Sequence, residues 1–370
     1  MKKILFFICL MLFVVFNVSA EGVTSLSAQS AVLIEQSTGR VLFDKNCEKR
    51  MKPASTTKIL TAICALEYGN LDDIVTVSKN AACQEGSSMY LNEGEKIKLE
   101  DLIYGLMLNS GNDAAVAIAE YISKDTIKFS KLMNEKAVDI GAYNSNFVTP
   151  NGLDDENHYV TAKDLALITA SALENEKFCE IVKTRNKVIT TENGNKKYLT
   201  NHNKMLSLYN GCIGVKTGFT KASGRTLVTA SDNNGIKLIA VTLNASDDWN
   251  DHKKLLDFGN SRVRKINILD KEKEVFDAVV KNGVKSGVKL KCENGYSDIE
   301  IDGNKDKFEL KYNVKKLKAP VMKNEIAGSV EVYKNGEKVF KTNLRSLESV
   351  DKIKKEKTFW NVFKRFLEIW

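Results

Sequence analysis

The stretch Pro53-Ala54-Ser55-Thr56-Thr57-Lys58-Ile59-Leu60-Thr61 contains a serine and a lysine three residues apart, next to an apolar run. The apolar residues recur at helical spacing, which predicts a helix that begins near Ser55. Residues three apart share one face of a helix, so the Ser55 hydroxyl and the Lys58 ammonium group lie side by side. A desolvated lysine can act as the general base for such a serine. The stretch therefore predicts a nucleophilic serine at a helix start.

This pair alone is weak evidence, because Ser349-Val350-Asp351-Lys352 repeats its spacing by chance. A Ser-His-Asp site has less support, since the chain has only His158, His202 and His252 and no Gly-x-Ser-x-Gly motif. A lysine base is the better hypothesis.

Two further triplets decide the interpretation. Ser110-Gly111-Asn112 lies between two predicted helices, and Lys216-Thr217-Gly218 is expected to lead into an apolar strand. A second Ser-x-Asn sequence, Ser231-Asp232-Asn233, follows the Lys-Thr-Gly triplet and is interpreted as unrelated to the site. Three triplets in this order are much more specific than any one of them.

Each of these residue types has a chemical role available to it. Backbone N–H groups at the helix start would face the reacting carbonyl, and a strand glycine lets a ligand approach the backbone. Ser55 is predicted to be the nucleophile, Lys58 the general base and Ser110 a proton relay. Asn112 is predicted to orient Lys58 and to bind the substrate amide. Lys216 would supply positive potential near the substrate carboxylate, Thr217 would donate its hydroxyl to that carboxylate, and Gly218 would let the ligand approach closely.

The remaining pattern predicts an α/β fold followed by a second, all-β domain. Strands are expected within 28–43, 226–230 and 237–243, with helices between them, which favours an α/β sandwich on an antiparallel sheet. Alternating residues begin near 267, and Asn335-Gly336 is a strong hairpin signal. The predicted division is a signal peptide at 1–20, a catalytic domain at 21–266, a β domain at 267–350 and a terminal helix at 351–370.

Both ends of the chain indicate an exported protein at a membrane surface. Lys2 and Lys3 precede an apolar run that ends before Val18-Ser19-Ala20, as in a secretory signal peptide. The alternative is a membrane helix that is not cleaved. The apolar run is, however, shorter than the roughly 20 residues that span a bilayer. Residues 359–370 place aromatic residues at steps of three and four, which suits a helix lying in a membrane interface. Docking of this helix on its own domain is the alternative.

The net charge and the cysteine spacing limit which partners and cofactors the protein can bind. The formal net charge is +8. Because the protein is predicted to be exported, its basic surface is expected to meet an anionic cell envelope and not nucleic acid. The six cysteines after Cys9 are scattered, with no histidine at metal-ligand spacing, and we expect them to be mostly free and buried. No metal or organic cofactor is predicted.

The blocks around these triplets resemble the low-molecular-mass penicillin-binding proteins of the D-alanyl-D-alanine carboxypeptidase type. The resemblance covers about residues 28–259, including Asn151-Gly152-Leu153 and the block Thr161-Ala162-Lys163-Asp164. It implies a transpeptidase/β-lactamase-like fold, peptidoglycan peptides ending in D-Ala-D-Ala as substrates, and inhibition by β-lactams. It also implies that the backbone N–H of Phe219 is the second oxyanion donor, and that the segment Phe359–Trp370 is a membrane anchor.

Other functions share this machinery. A serine β-lactamase carries the same triplets with a glutamate that activates the deacylating water, and no convincing equivalent is found between Asn112 and Lys216. A D,D-endopeptidase uses the same residues, and an inactive wall-binding protein is a remote alternative, since every required side chain is present.

Overall fold

The computed structural model describes residues 23, 25–303, 306–354, 363–365 and 367. The predicted signal peptide at 1–20 lies outside these residues, as does most of the predicted terminal helix at 359–370. Within the described residues, no helix combines the length and the apolar character needed to cross a bilayer.

The chain forms two compact units that divide between Gly259 and Asn260. The sequence predicted a division after residue 266, where alternating residues begin. Helix α9 (Asp248–Arg262) is followed at once by β10 (Val263–Leu269), so no turn or linker marks the change.

The first unit is an antiparallel five-stranded sheet with helices packed around it. The strand order is β2-β1-β9-β8-β7, and two small hairpins, β3–β4 and β5–β6, lie outside this sheet. Its strands are β1 (Ser30–Glu35), β2 (Val41–Lys45), β3 (Ile74–Thr76), β4 (Lys96–Lys98), β5 (Asn186–Thr190), β6 (Lys196–Thr200), β7 (Cys212–Thr220), β8 (Gly224–Asn233) and β9 (Ile236–Leu243).

A short 3-10 helix (Ala54–Thr57) leads into the central helix α1 (Lys58–Tyr68). Every residue from Lys58 to Ala65 is buried, as in a helix surrounded by core on all sides. The other helices are α2 (Lys79–Ala82), α3 (Leu99–Leu108), α4 (Asn112–Ser123), α5 (Thr126–Ile140), α6 (Ala162–Ala172), α7 (Glu176–Lys183), α8 (Met205–Leu208) and α9.

Capping fixes where the helix α6 begins. The Thr161 hydroxyl accepts a hydrogen bond from the Asp164 backbone N–H at 3.0 Å, which is the usual contact of an N-cap residue. The Asp164 carboxylate accepts from the Asn144 N–H and the Ser145 hydroxyl, which attaches the preceding loop to this helix start.

Among the described residues from Val263 to Lys354, the second unit contains strands and no helix. Its six-stranded sheet has the order β14-β16-β17-β12-β11-β15, and β10 pairs with β13. Asn335 and Gly336 both have positive φ, 51° and 91°, as a two-residue type I′ hairpin requires, so the predicted hairpin is present. The strands after β10 are β11 (Glu274–Lys281), β12 (Gly287–Cys292), β13 (Tyr296–Ile301), β14 (Phe308–Val314), β15 (Leu317–Lys318), β16 (Ile326–Lys334) and β17 (Glu337–Ser346).

The described cysteines after residue 23 are all free thiols. Cys47, Cys64, Cys212 and Cys292 are buried, whereas Cys83 is exposed. Burial raises the pKa of the Cys64 thiol to about 12, so this side chain behaves as a small apolar residue.

Candidate active site

Ser55 lies in the 3-10 helix that precedes α1, in a strained segment of backbone. Ala54 has a φ of 50°, which is unusual for a residue with a side chain. Gly152, with a φ of 84°, packs directly on Ala54, and a side chain at 152 would collide with the Ala54 carbonyl group. The loop that contains Gly152 therefore presses against the turn that presents the serine.

Lys58 is completely buried, and its amine has three close polar neighbours. Nζ lies 2.9 Å from Ser55 Oγ, 2.7 Å from Asn112 Oδ1 and 2.6 Å from the Asn151 carbonyl oxygen. The amide and carbonyl oxygens can only accept hydrogen bonds, so they take two N–H groups of the amine. In the neutral amine this leaves the lone pair for the third neighbour, Ser55 Oγ.

Burial and charge both favour the neutral form of this amine. Desolvation lowers the pKa of Lys58 well below its usual value, and the positive charge of Lys216 lowers it further. The buried carboxylate of Asp113 acts in the opposite direction but is the smaller effect.

Ser110 and Asn112 approach the serine from the junction between α3 and α4. Ser110 is buried and has a φ of 60°, so the chain makes a sharp turn at this residue. The Asn112 amide nitrogen donates to the Glu85 carbonyl at 2.5 Å, which holds its Oδ1 toward Lys58. The orientation of Asn112 is thus fixed by a loop distant in sequence.

Asp113 attaches that loop to the start of α4. Its carboxylate accepts hydrogen bonds from the Ser88 hydroxyl and from the backbone N–H groups of Met89 and Leu91, all between 2.6 and 3.1 Å. A carboxylate with this many donors positions the loop firmly.

The Lys-Thr-Gly triplet is part of β7 itself. The sequence placed an apolar strand after it, but β7 (Cys212–Thr220) contains the triplet and the apolar strand that follows is β8. Gly218 faces the serine turn: an added Cβ would lie 2.9 Å from the Ser55 backbone nitrogen. Phe219 follows it with an exposed side chain. The strand therefore runs past the N–H group of Ser55.

Lys216 is buried and does not project into the cavity beside Ser55. Its Nζ donates to the Thr217 carbonyl oxygen at 3.0 Å, and burial lowers its pKa to about 7. Its positive charge contributes to the lowered pKa of Lys58, after the larger effect of burial.

The second Ser-x-Asn sequence is far from this site along the sheet. Gly218 pairs with Thr226, whereas Cys212 at the other end of β7 pairs with Ser231. Ser231 therefore lies about five residue positions along the ladder from the serine turn, or roughly 17 Å at strand rise. The interpretation of Ser231-Asp232-Asn233 as unrelated agrees with this register.

A cavity of about 350 Å³ opens beside Ser55, and some of the residues that line it were not predicted to be site residues. Its lining consists of Ser55, Ser87, Ser110, His202, Lys204, Thr217, Gly218, Phe219, Arg225, Asp248 and Trp249.

Arg225 is the best-oriented cation of this cavity. It stands directly across the β7–β8 ladder from Phe219. Its guanidinium group contacts the buried carboxylate of Asp248 at 2.8 and 3.0 Å and lies over the Trp249 ring at 5.5 Å from the centroid. Arginine held in this way keeps further N–H donors for a planar anion. No motif pointed to it, because its partners come from a helix about 23 residues later in the chain.

His158 supports the loop that supplies the Asn151 carbonyl. Its Nδ1 accepts from the Thr149 N–H at 3.3 Å, and its Nε2 lies 3.0 Å from the Thr57 hydroxyl, next to Lys58. Burial lowers the pKa of His158 to about 4, so the ring is neutral at physiological pH. A neutral ring with contacts on both of its nitrogens orients this loop against the start of α1.

Comparison with known proteins agrees with this geometry. The profile of the D-alanyl-D-alanine carboxypeptidase family matches residues 16–247, and that of the penicillin-binding protein 5 C-terminal domain matches residues 264–352. The chain is 32% identical to the D-alanyl-D-alanine carboxypeptidase DacF of Bacillus subtilis, over 91% of each protein. It is 30% identical to DacC of Escherichia coli, a protein with the same activity in its name, over 88% of this chain and 85% of the relative.

Solved structures give the same result for the fold. Penicillin-binding protein 5 from Haemophilus influenzae superposes with a TM-score of 0.63 at 29% identity, covering 89% of this chain and 99% of that one. The DD-transpeptidase of Streptomyces K15 matches with a TM-score of 0.61 at 31% identity, covering 64% of this chain and 98% of that one. These similarities confirm the predicted transpeptidase-like α/β fold with a C-terminal β-rich domain. The chain belongs to the D-alanyl-D-alanine carboxypeptidase family of serine peptidases.

Proposed function

We propose that this protein removes the terminal D-alanine from peptidoglycan stem peptides through an acyl-enzyme on Ser55. The observation that carries the proposal is the buried Lys58 amine, 2.9 Å from Ser55 Oγ and fixed by Asn112 and Asn151. A buried amine with a lowered pKa, in contact with a serine hydroxyl, is a general base beside a nucleophile.

In the acylation step, Ser55 Oγ attacks the carbonyl carbon between the two D-alanines while its proton passes to Lys58 Nζ. The carbonyl oxygen becomes an oxyanion that accepts hydrogen bonds from the backbone N–H groups of Ser55 and Phe219. The C–N bond then breaks, and the leaving amine receives a proton through the Ser110 hydroxyl.

In the deacylation step, water attacks the ester on Ser55. Lys58 accepts the proton of this water, and the serine oxygen is reprotonated as the shortened peptide leaves. β-Lactams acylate the same serine, so penicillin binding and carboxypeptidase activity share one nucleophile.

Recognition of the terminal carboxylate combines two residues. Thr217 donates its hydroxyl, and Arg225 supplies the exposed positive charge that the buried Lys216 does not. The Asp248 carboxylate and the Trp249 ring hold the guanidinium group of Arg225 in place. Lys216 instead lowers the pKa of Lys58, after the larger effect of burial.

The place of action is proposed from the chain ends. Cleavage after residue 20 exports the catalytic domain (21–266) and the β domain (267–350), and the Phe359–Trp370 helix attaches them to the outer face of the cytoplasmic membrane. Deleting Phe359–Trp370 should release an enzyme that still turns over short peptides.

Labelling with a fluorescent penicillin tests the nucleophile. Ser55→Ala should abolish covalent labelling, while Ser349→Ala, which alters the chance Ser-x-x-Lys sequence, should label like the unmodified protein. Labelling of Ser55→Ala would refute the assignment. Slow loss of the label from the unmodified protein distinguishes the carboxypeptidase from a β-lactamase, which releases hydrolysed penicillin quickly.

A further inference from the structure

Three separate segments of the β domain meet at one edge and form a basic surface. Lys281 at the end of β11 pairs with Lys318 of β15, and Gly283 forms a bridge with Lys352. The Ile353 N–H donates to the Asn282 carbonyl at 2.9 Å. These contacts enclose a cavity of about 600 Å³, and backbone pairing fixes the three segments next to one another.

The lysines of this surface are not neutralised locally. Lys281, Lys318, Lys352 and Lys354 are exposed, and within the described part of the chain none of them lies at ion-pair distance from a carboxylate. Asp351 is an exposed acidic residue in the same segment, so positive charge dominates.

Neighbouring lysines of the same domain behave differently. Lys285 pairs with Glu348, and Lys289 pairs with Glu274 at 2.5 Å. These two neighbouring lysines are neutralised locally, whereas the four lysines at the edge are not.

Exposed apolar side chains lie among these lysines. Val284, Met322 and Ile353 are 62%, 63% and 52% exposed. The Val284 N–H donates to the Asp351 carbonyl, and Val321, next to Met322, forms a bridge with Val350. Val284 and Met322 therefore lie beside the segment 350–354, which contains Ile353. Apolar side chains kept in water beside unpaired cations indicate a surface that is covered in use.

We propose that this lysine surface (Lys281, Lys318, Lys352 and Lys354 with Val284, Met322 and Ile353) docks the β domain on a membrane of anionic phospholipid. Lysine ammonium groups contact lipid phosphates while the apolar side chains enter the interfacial region. A lipid surface, unlike a soluble anionic polymer, uses both kinds of side chain.

Chain continuity supports the same partner. From Lys354 the chain passes into residues 355–370, whose sequence predicts a basic, aromatic interfacial helix. A membrane-bound helix starting there brings the adjacent edge of the β domain within reach of the same lipid. The lysine surface is then a second contact, independent of the helix and of the catalytic site.

Vesicle binding of the full mature chain tests this proposal. In one variant, Lys281, Lys318, Lys352 and Lys354 are changed to Gln. Its partition coefficient into vesicles of phosphatidylglycerol and phosphatidylcholine should be lower than that of the unmodified protein by a factor of about 10 or more, because each lysine near an anionic surface contributes to the binding free energy. A control variant with the same net charge, altered at four other exposed lysines of the domain, should bind like the unmodified protein. The control residues are Lys265, Lys271, Lys273 and Lys307.

A second variant distinguishes a lipid surface from a soluble anionic polymer as the partner. The double variant Val284→Ser/Ile353→Ser should bind vesicles more weakly than the unmodified protein but should bind soluble polyphosphate equally well. If the double variant binds vesicles as well as the unmodified protein does, the partner is an anionic polymer and the proposal is overturned. The proposal also fails if the two lysine variants bind vesicles equally. Penicillin labelling should be unchanged in all of them, which separates this outcome from any failure of the proposed function.

Discussion

The buried amines of Lys58 and Lys216 lie close enough to each other to interact electrostatically. Burial is the main cause that lowers the pKa of Lys58, and the positive charge of Lys216 lowers it further. Both side chains are buried, at 0% and 1% exposure. Two like charges in a buried site oppose each other's protonation, which favours the deprotonated form of the base.

Removing the charge of Lys216 should therefore change the pH dependence of acylation. At acidic pH the acylation rate rises as Lys58 loses its proton. Lys216→Gln removes a positive charge that lowers the pKa of Lys58, so the pKa of Lys58 should rise. The acidic side of the pH–rate profile should therefore move to higher pH, and the rate should also fall. The measurement is the second-order rate constant for penicillin acylation from about pH 5 to about pH 10. Lys221→Gln, at the exposed turn after β7, is the control. An unmoved acidic side of the profile in Lys216→Gln would show that the two lysines are not coupled.

A methyl group at position 218 should damage the oxyanion site. An added Cβ would lie 2.4 Å from the Thr226 hydroxyl oxygen, 2.9 Å from the Ser55 nitrogen and 3.1 Å from the Thr56 nitrogen, so the Thr226 side chain and either β7 or the serine turn must shift. A displacement of this kind typically costs about 100-fold in rate. Gly218→Ala should therefore slow acylation by about that factor, as measured by the rate constant for penicillin acylation of the folded protein.

The control for this change is Gly287→Ala, at a strand position in the β domain where the nearest atom to an added Cβ is the Ala278 carbonyl oxygen at 3.3 Å. Equal acylation rates for Gly218→Ala and the unmodified protein would mean that the oxyanion site at the N–H groups of Ser55 and Phe219 does not depend on the close approach of β7 to the serine turn.

The sequence predicted those site residues whose chemistry is local. Ser55 and Lys58 are three residues apart on one helical turn, so their contact follows from helix geometry. Similarly, Asn335 and Gly336 predicted the β16–β17 hairpin because few residues adopt two successive positive φ values.

Contacts between distant segments were not predictable in this way. Asn151 acts through its backbone carbonyl, which every residue possesses, so its side chain gave no signal. Arg225 becomes oriented only because α9 brings Asp248 beside β8. Helices α5 and α7 and the two small hairpins were also missed, since short or mixed periodicity does not identify an element.

Arg225→Gln should remove the preference for a free carboxylate at the substrate end. The unmodified enzyme should prefer an acyl-D-Ala-D-Ala acid to its C-terminal amide, because a charge-assisted hydrogen bond to the guanidinium group is lost in the amide. In Arg225→Gln the ratio of the two kcat/KM values should fall by about 10- to 100-fold, mainly through KM.

The matched control is Lys204→Gln, because Lys204 lines the same cavity. It should retain the preference for the acid. If Lys204→Gln loses the preference and Arg225→Gln keeps it, then Lys204 and not Arg225 binds the carboxylate.

Two buried imidazoles connect the stability of the protein to pH. His252 bridges β8 and β9, with Nδ1 2.6 Å from the Thr229 hydroxyl and Nε2 2.8 Å from the Thr242 hydroxyl. Burial lowers the pKa of His252 to about 3 and that of His158 to about 4. An unfolded histidine titrates near pH 6.5, so only the unfolded chain takes up these protons at mildly acidic pH.

The free energy of unfolding should therefore fall as the pH is lowered through about 6.5, by about 2 kcal/mol for each of these histidines between pH 6.5 and pH 5. This stability is fully present above pH 6.5, because there the imidazole is neutral in both states. His252→Gln removes one titrating ring, so it should reduce the slope of stability against pH in this window by about one proton, even if the lost bridge lowers stability at every pH. Urea unfolding at a series of pH values measures the slope. A slope equal to that of the unmodified protein would mean that His252 is already protonated in the folded state, in conflict with its burial between two strands.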